Sequence, residues 1–186
     1  MMIQDWERAW APYDEQTYQT VLGWIDADDV VLDIGAGDLR LARRMAAKAA
    51  HVFAIEIDAA LLPPADTLPD NLVALHRDAT TTPFPPGVTT AVLLMRHCTR
   101  FRHYAEKLRA VGCRRLITNA RWRTGVERID LAAERRPYRA ITLGWDACWC
   151  GAVGFVPGRP EQLVPESEQI VHEIHSCPAC VGTFMN

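Results

Sequence analysis

The chain has 186 residues, of which 49% are hydrophobic and 23% are charged, and its formal net charge at pH 7 is −3. This length allows one substantial core with a small appendage and excludes two full-sized domains. No apolar run approaches the roughly 20 residues that span a bilayer, and residues 1–6 lack the basic start and apolar stretch of a signal peptide. The sequence therefore predicts a cytoplasmic protein, in which cysteines are thiols or metal ligands rather than disulfides.

Hydrophobic periodicity predicts alternating helices and strands as far as residue 119. Asp14 is a candidate N-cap for an amphipathic helix that reaches Ile25. The predicted strands that follow are 30–34, 51–57, 72–76, 90–95 and 115–119, with helices at 39–50 and 103–110. This alternation implies an α/β fold with a mostly parallel central sheet. From about residue 140 short apolar runs with glycine and proline take over, so we expect a Rossmann-like domain at 1–139 and C-terminal strands at 140–186 that continue it.

The first predicted strand runs into a glycine-rich turn. The segment Asp33-Ile34-Gly35-Ala36-Gly37-Asp38 follows a buried apolar run, and Gly-x-Gly at that point lets the backbone turn sharply and approach a ligand. The second strand reaches Glu56, where a carboxylate can accept two hydrogen bonds from the vicinal hydroxyls of a ribose. The dinucleotide fingerprint needs a third glycine at position 40, where this chain has Arg40, which disfavours NAD and FAD.

These residues resemble motif I and the following acidic position of class I S-adenosylmethionine-dependent methyltransferases. The resemblance covers about residues 14–119, and segments 55–58 and 77–79 look like those of ribosomal RNA adenine dimethyltransferases. It implies a Rossmann-like class I methyltransferase fold, with Asp33 near the methionine moiety of the cofactor, Glu56 on its ribose and Asp78 on its adenine amine. The cofactor-binding residues that it implies are Asp33, Gly35, Ala36, Gly37, Glu56, Ile57, Asp78 and Ala79.

Two positions depart from the pattern of that family. Leu39 stands where many members have a third glycine, and its place in an apolar stripe makes it the first core-facing residue of the second helix. In the family, the segment after the fourth strand faces the methyl group. In this chain that segment, residues 94–98, lacks the motif of the enzymes that methylate the exocyclic amines of bases. In that segment His97 is the candidate general base, because imidazole titrates near neutral pH, and Arg96 could hold an anionic substrate. A histidine that only caps the strand end is the alternative.

Four of the six cysteines lie near the C-terminus. Cys148 and Cys150 form one close pair and Cys177 and Cys180 another, with 26 residues between the pairs. This spacing is typical of a structural zinc site with four thiolate ligands. We expect a zinc-ribbon-like hairpin from strands at 152–156 and 169–175. The alternatives are a redox dithiol of the second pair, or a histidine in place of one cysteine ligand, for which His172 and His175 are the candidates.

The charge is unevenly distributed along the chain. The segment from Arg96 to Arg139 has twelve arginines and one lysine against four acidic residues, so its net charge is +9, which leaves −12 for the rest. Residues 121–123 and 136–139 interleave aromatic rings with guanidinium groups, as surfaces that bind single-stranded nucleic acid do. The segment predicts an anionic substrate or RNA as partner, and a solvated face paired with acidic helices is the alternative.

The sequence as a whole predicts an S-adenosylmethionine-dependent methyltransferase with a structural zinc ion. RNA and a small molecule are the two candidate acceptors. The alternative is not an enzyme but a non-catalytic module that binds nucleic acid or protein.

Overall fold

The computed structural model describes residues 13–96, 98–122 and 125–182. Six strands belong to the larger of its two sheets. They are β1 (Val30–Ile34), β2 (His51–Glu56), β3 (Leu72–His76), β4 (Thr90–Leu93), β5 (Arg115–Thr118) and β6 (Glu127–Asp130). Their order is β3-β2-β1-β4-β5-β6; the first five run parallel and β6 runs antiparallel to β5. This is the strand order of the doubly wound Rossmann-like fold, so the predicted fold class is confirmed.

The helices pack on both faces of this sheet. They are α1 (Glu15–Gly23), α2 (Arg40–Ala46) and α3 (Phe101–Ala110). A fourth short helix, α4 (Pro178–Gly182), lies at the C-terminal cysteine pair. Successive residues of a strand point to opposite faces, so Val31 packs in one core with α1 and α2, and Leu32 in a second core with α3. The described helices include none that is both long and apolar enough to cross a membrane.

The ends of the first two helices follow from local capping. Asp14 caps α1 as predicted, because its Oδ1 accepts a hydrogen bond of 2.7 Å from the Thr17 amide. The second helix is shorter than the predicted 39–50. It starts after Leu39, whose φ of +65° is not helical, and beyond it the Asn71 side chain donates to the carbonyls of Ala46 and Ala49. These bonds satisfy the last carbonyls where the chain turns into β2.

The smaller sheet differs from the predicted hairpin. Its strands are β7 (Gly144–Cys148), β8 (Val153–Val156) and β9 (Val171–Ile174), in the order β8-β7-β9. The two predicted strands therefore lie on either side of β7, which the sequence did not predict. A hairpin is present, but β7 and β8 form it, and β9 adds to β7 in parallel. The missed strand begins with glycine and contains a buried aspartate, Asp146, and neither residue is typical of strands.

The contacts that join the small sheet to the large one include an aromatic pair and a buried group of ion pairs. Trp149, which follows β7, packs edge-to-face on Phe101 of α3, with 6.2 Å between ring centroids. The Arg121 guanidinium, fully buried after β5, reaches Glu127 of β6 and Glu173 of β9 at 2.6 Å each. The C-terminal strands are therefore packed against the α/β core.

Candidate cofactor site and cysteine cluster

The glycine loop lies at the carboxyl end of β1, where ligands of open α/β sheets bind. Gly35 and Gly37 have φ of +72° and +58°, a region that other residues rarely adopt. The amides of Gly35 and Ala36 donate to the Ile55 carbonyl at 2.9 and 3.0 Å, which ties the loop to β2. A Cβ on Gly35 would lie 2.2 Å from Met95 Cε. Glycine is therefore favoured here by its backbone conformation, and its lack of a Cβ leaves room for the Met95 methyl group.

The segment after β4 thus adjoins the glycine loop, as the resemblance implies. The Tyr13 hydroxyl donates to the Leu94 carbonyl at 3.0 Å, and the Arg96 guanidinium lies over the Tyr13 ring, 4.6 Å from its centroid. Arg96 is therefore an exposed cation at the rim of the site. His97 lies outside the described residues. Cys98 is half-buried, and burial raises the pKa of its thiol, which makes it a weak nucleophile at neutral pH.

Two buried carboxylates flank the glycine loop. Asp33, on β1, is 4% exposed and Glu56, at the end of β2, is 7% exposed. Burial, together with the negative charge of Glu56, raises the pKa of Asp33 to about 7. A cation placed next to such a carboxyl favours its ionised form. Asp33 is thus suited to the positively charged part of a ligand.

Glu56 also accepts hydrogen bonds from the surrounding backbone. Its Oε2 accepts a hydrogen bond of 2.8 Å from the Gly37 amide, and its Oε1 accepts from the amides of Ile57 and Asp58 at 2.8 and 2.9 Å. A carboxylate oxygen has about two acceptor positions, so Oε1 is filled and Oε2 retains one. The sequence predicted two hydrogen bonds from a ribose, whereas this geometry leaves room for one.

The third predicted carboxylate follows β3. Asp78 Oδ1 accepts hydrogen bonds from the Thr80 hydroxyl and the Thr80 amide, both of 2.7 Å. These bonds hold the pKa of Asp78 below its usual range. Because they involve Oδ1, the other oxygen, Oδ2, can accept from an exocyclic amine. The Arg77 amide donates to the Glu56 carbonyl at 2.9 Å, so the Asp78 loop starts beside Glu56.

Two apolar residues of the predicted site have different placements. Ile57 is 65% exposed, although it directly follows Glu56. It presents an apolar surface beside the carboxylates, of the kind on which a flat base can lie. Ala79 is buried in the core with α3, so its backbone is the part that could face a ligand.

Asn119 is a polar residue at this edge of the sheet that the sequence analysis missed. It follows β5 and is 3% exposed, and within the described part of the chain no donor reaches its Oδ1. A buried acceptor without a partner costs about 1–3 kcal/mol. Asparagine after a strand is also an ordinary turn residue, so the sequence carries no signal that distinguishes it.

The four C-terminal cysteines converge into one cluster. The Sγ–Sγ distances are 3.6 Å for Cys148 and Cys180, 3.7 Å for Cys150 and Cys177, and 3.9 Å within the second pair. All four sulfurs lie within 4.8 Å of one another. A tetrahedral site with bonds of about 2.3 Å needs sulfurs about 3.8 Å apart. The cluster can therefore hold a metal ion.

The alternatives to a four-cysteine site have less support in the geometry. His172 Nε2 interacts with the Leu143 carbonyl at 2.9 Å, and His175 is exposed; neither belongs to the metal-competent cluster found among the described residues. The second cysteine pair does open a short helix, α4, as redox dithiols do. A redox pair, however, would not require Cys148 and Cys150 at these distances.

Part of the basic segment is used inside the fold. The Arg121 side chain is fully buried between two glutamates. Trp122 donates from Nε1 to Glu127 and its ring packs against Trp145, 5.4 Å between centroids. In contrast, residues 136–139 are all exposed. The first predicted nucleic-acid motif is thus partly structural, and the second remains open to solvent.

No family model and no curated protein matches this sequence. Similar solved structures include the precorrin 8W decarboxylase of Methanobacterium thermoautotrophicum, with 18% identity over 57% of this chain and 63% of that chain, and a TM-score of 0.49. A 23S rRNA methyltransferase has 23% identity over 57% and 46% of the two chains, with a TM-score of 0.47. The magnesium protoporphyrin IX methyltransferase of Synechocystis PCC 6803, solved with bound S-adenosylhomocysteine, has 17% identity over 62% and 64%, with a TM-score of 0.49. The chain thus spans less than two thirds of each of these proteins, and its strand order defines its fold class.

Proposed function

We propose that the protein is an S-adenosylmethionine-dependent methyltransferase. The observation that carries this proposal is the position of Asp33, Glu56 and Asp78 at the carboxyl ends of three adjacent parallel strands, beside a glycine loop. These carboxylates lie where ligands of doubly wound sheets bind. The start of α2 lacks the third glycine that a pyrophosphate needs, since Arg40 stands at that position. The set suits a nucleoside with a cationic tail better than a dinucleotide.

The residues present fit the donors of this cofactor. Asp33, buried and with a raised pKa, would hold the positively charged methionine moiety. Glu56 Oε2 would accept from one ribose hydroxyl, and Asp78 Oδ2 from the adenine amine. Ile57 supplies the exposed apolar surface beside them for the base.

Methyl transfer asks little further of the protein. When bound, S-adenosylmethionine supplies an electrophilic methyl group on its sulfonium. The chain has to align an acceptor and to take up a proton where the acceptor loses one. Arg96 at the rim can hold an anionic acceptor, and we assign the proton acceptor to His97 from its position after β4.

We also propose that the cysteine cluster holds zinc. Four thiolates complete a tetrahedral shell and leave no position for a substrate, so the ion would be structural. Cys148 ends β7, Cys150 lies in the turn that leads to β8, and the other pair flanks the start of α4. The metal would thus fix the end of the small sheet.

Transfer of labelled methyl groups tests the proposed activity. The protein is incubated with methyl-labelled S-adenosylmethionine and, separately, with bulk RNA and with a small-molecule extract. Label is expected in one acceptor fraction. Glu56→Gln is expected to lower the rate of transfer. The control Glu161→Gln, which changes an exposed carboxylate outside the site, should leave the rate unchanged. Cofactor binding without transfer to any acceptor would contradict the proposed methyltransferase activity and favour a non-catalytic binding module.

A further inference from the structure

We propose that a groove beside the cysteine cluster binds single-stranded RNA. The groove has a volume of about 460 Å³ and lies between residues 137–139 and residues 175–178. Both segments are exposed except Cys177, which belongs to the cluster. The groove is therefore part of the surface and touches the proposed metal site.

The groove offers flat surfaces for stacking a base. Tyr138 is 37% exposed, and Pro137 and Pro178 also line the groove. Aromatic side chains at a groove bind successive bases by stacking, which every base allows. An exposed tyrosine in a groove that two prolines also line is thus suited to an unpaired base.

The charge around the groove favours an anionic chain. Arg139 lines the groove and Arg136 lies just before it, both exposed. None of the residues that line this groove in the described structure is acidic. Elsewhere in the basic segment, Arg115 and Arg121 are neutralised by carboxylates within the fold. The arginines at the groove, in contrast, are exposed and available to phosphates.

Single-stranded RNA combines these two requirements. An acidic peptide has the charge but lacks a flat ring at each unit of the chain. RNA also carries a 2′-hydroxyl, which is both donor and acceptor. The exposed hydroxyl of Ser176 and the imidazole of His175, both at the groove, can engage such a group.

The metal site and the groove share one wall. Cys177 and Pro178 line the groove and belong to the second cysteine pair. Loss of the thiolate cluster would therefore move this wall relative to Tyr138. We expect RNA binding to depend on the metal, although the metal would not touch the RNA.

Fluorescence anisotropy with the full-length, metal-loaded protein tests the groove. The probe is a labelled single-stranded RNA of mixed sequence and about 12 nucleotides. Tyr138→Ala is expected to weaken binding between about 5-fold and about 150-fold, the range measured for stacking on one base. Arg139→Glu is expected to weaken binding and to flatten its salt dependence. The matched controls are Leu163→Ala, which removes an exposed apolar side chain, and Arg159→Glu, which reverses an exposed charge outside the basic segment.

The outcomes separate this proposal from the proposed function, because RNA binding is measured without cofactor. No RNA binding by the wild type, or equal effects of Tyr138→Ala and Leu163→Ala on the affinity, would overturn the proposal that the groove binds RNA. Equal affinity for DNA of the same sequence, or tighter binding of an acidic peptide, would overturn RNA as the occupant. Loss of cofactor binding with intact RNA binding would count against the methyltransferase alone.

Discussion

Glu56 Oε2 accepts a hydrogen bond of 2.8 Å from the Gly37 amide, across 19 residues of sequence. The bond joins the end of β2 to the glycine loop after β1. The carboxylate that would face a ribose therefore also holds the loop that surrounds the cofactor. Removal of the whole side chain would disturb both functions, so the charge is better tested by a substitution of the same size.

Glu56→Gln is expected to weaken binding of S-adenosylhomocysteine by about 1.5–3 kcal/mol, or roughly 10- to 150-fold, the range for hydrogen bonds to charged groups. The amide retains one acceptor oxygen but replaces the other with a donor that faces the Gly37 N–H. Equilibrium dialysis with labelled ligand measures the change, with Glu161→Gln as the control. Equal affinities for the two variants would remove Glu56 from the site.

Gly35→Ala is expected to abolish cofactor binding and to destabilise the protein by about 1–3 kcal/mol. The new Cβ would lie 2.2 Å from Met95 Cε, on a backbone with φ of +72°. Gly23→Ala is the matched control, because a Cβ there meets nothing within 4 Å, and it should leave stability unchanged or raise it slightly. Urea denaturation measures both. Adding Met95→Ala to Gly35→Ala should recover part of the loss, and no recovery would show that the clash with Met95 is not the cause.

Asp33 is expected to give stability and cofactor affinity opposite dependences on pH. Folding raises its pKa from 3.8 to about 7, so its contribution to stability is complete below about pH 4 and is lost as the pH rises to about 7. A bound cation favours the ionised carboxylate, so affinity should rise towards pH 7 and then level off. Calorimetry and thermal unfolding of the wild type and Asp33→Asn across this range test both trends. Wild-type affinity that does not change with pH would place the cation elsewhere.

Purified protein is expected to contain one equivalent of zinc, and Cys177→Ser is expected to lose it. The variant should also destabilise the small sheet, because the cluster joins the end of β7 to the start of α4. Elemental analysis and thermal unfolding measure the two effects. Cys98→Ser, which changes a half-buried cysteine outside the cluster, is the control. Metal-free protein after anaerobic purification would contradict the zinc site and revive the redox alternative.

Arg121→Met is expected to lower the free energy of unfolding by about 3–5 kcal/mol, because it leaves Glu127 and Glu173 without their buried cation. Adding Glu127→Gln and Glu173→Gln should restore part of that stability. Arg139→Met, at an exposed position, should change it by less than about 0.5 kcal/mol. Urea denaturation measures all of these variants. If Arg121→Met alone is as stable as the wild type, the buried ion pairs do not hold the two sheets together.

The sequence predicted the strands that carry the glycine loop and the Asp78 loop. β1 and β3 have the predicted bounds, since each is a short apolar run ended by polar or glycine residues. Leu39 shows what the pattern could not reveal. Its side chain is fully buried, so its apolar character was informative, but its left-handed backbone was not predicted because leucine rarely adopts it.

The parts of the site that were missed depend on contacts that hydrophobic periodicity does not reveal. Met95 against Gly35, and the Glu56 bonds that fill Oε1, arise from packing between residues far apart in sequence or from local backbone geometry. β7 was missed because its Gly144 and Asp146 do not favour strands, and tertiary packing overrides that preference. Asn119 carries no pattern that distinguishes it from a turn residue. Sequence periodicity therefore located the carboxylates but not how many of their oxygens are free.

Calorimetric titration of the wild-type protein with S-adenosylhomocysteine, with NAD⁺ in parallel, tests the cofactor site most directly. We expect micromolar binding of S-adenosylhomocysteine and no binding of NAD⁺, because the carboxylates fit a nucleoside with a cationic tail and the helix start lacks the third glycine. Absence of S-adenosylhomocysteine binding, or tighter binding of NAD⁺, would contradict this expectation.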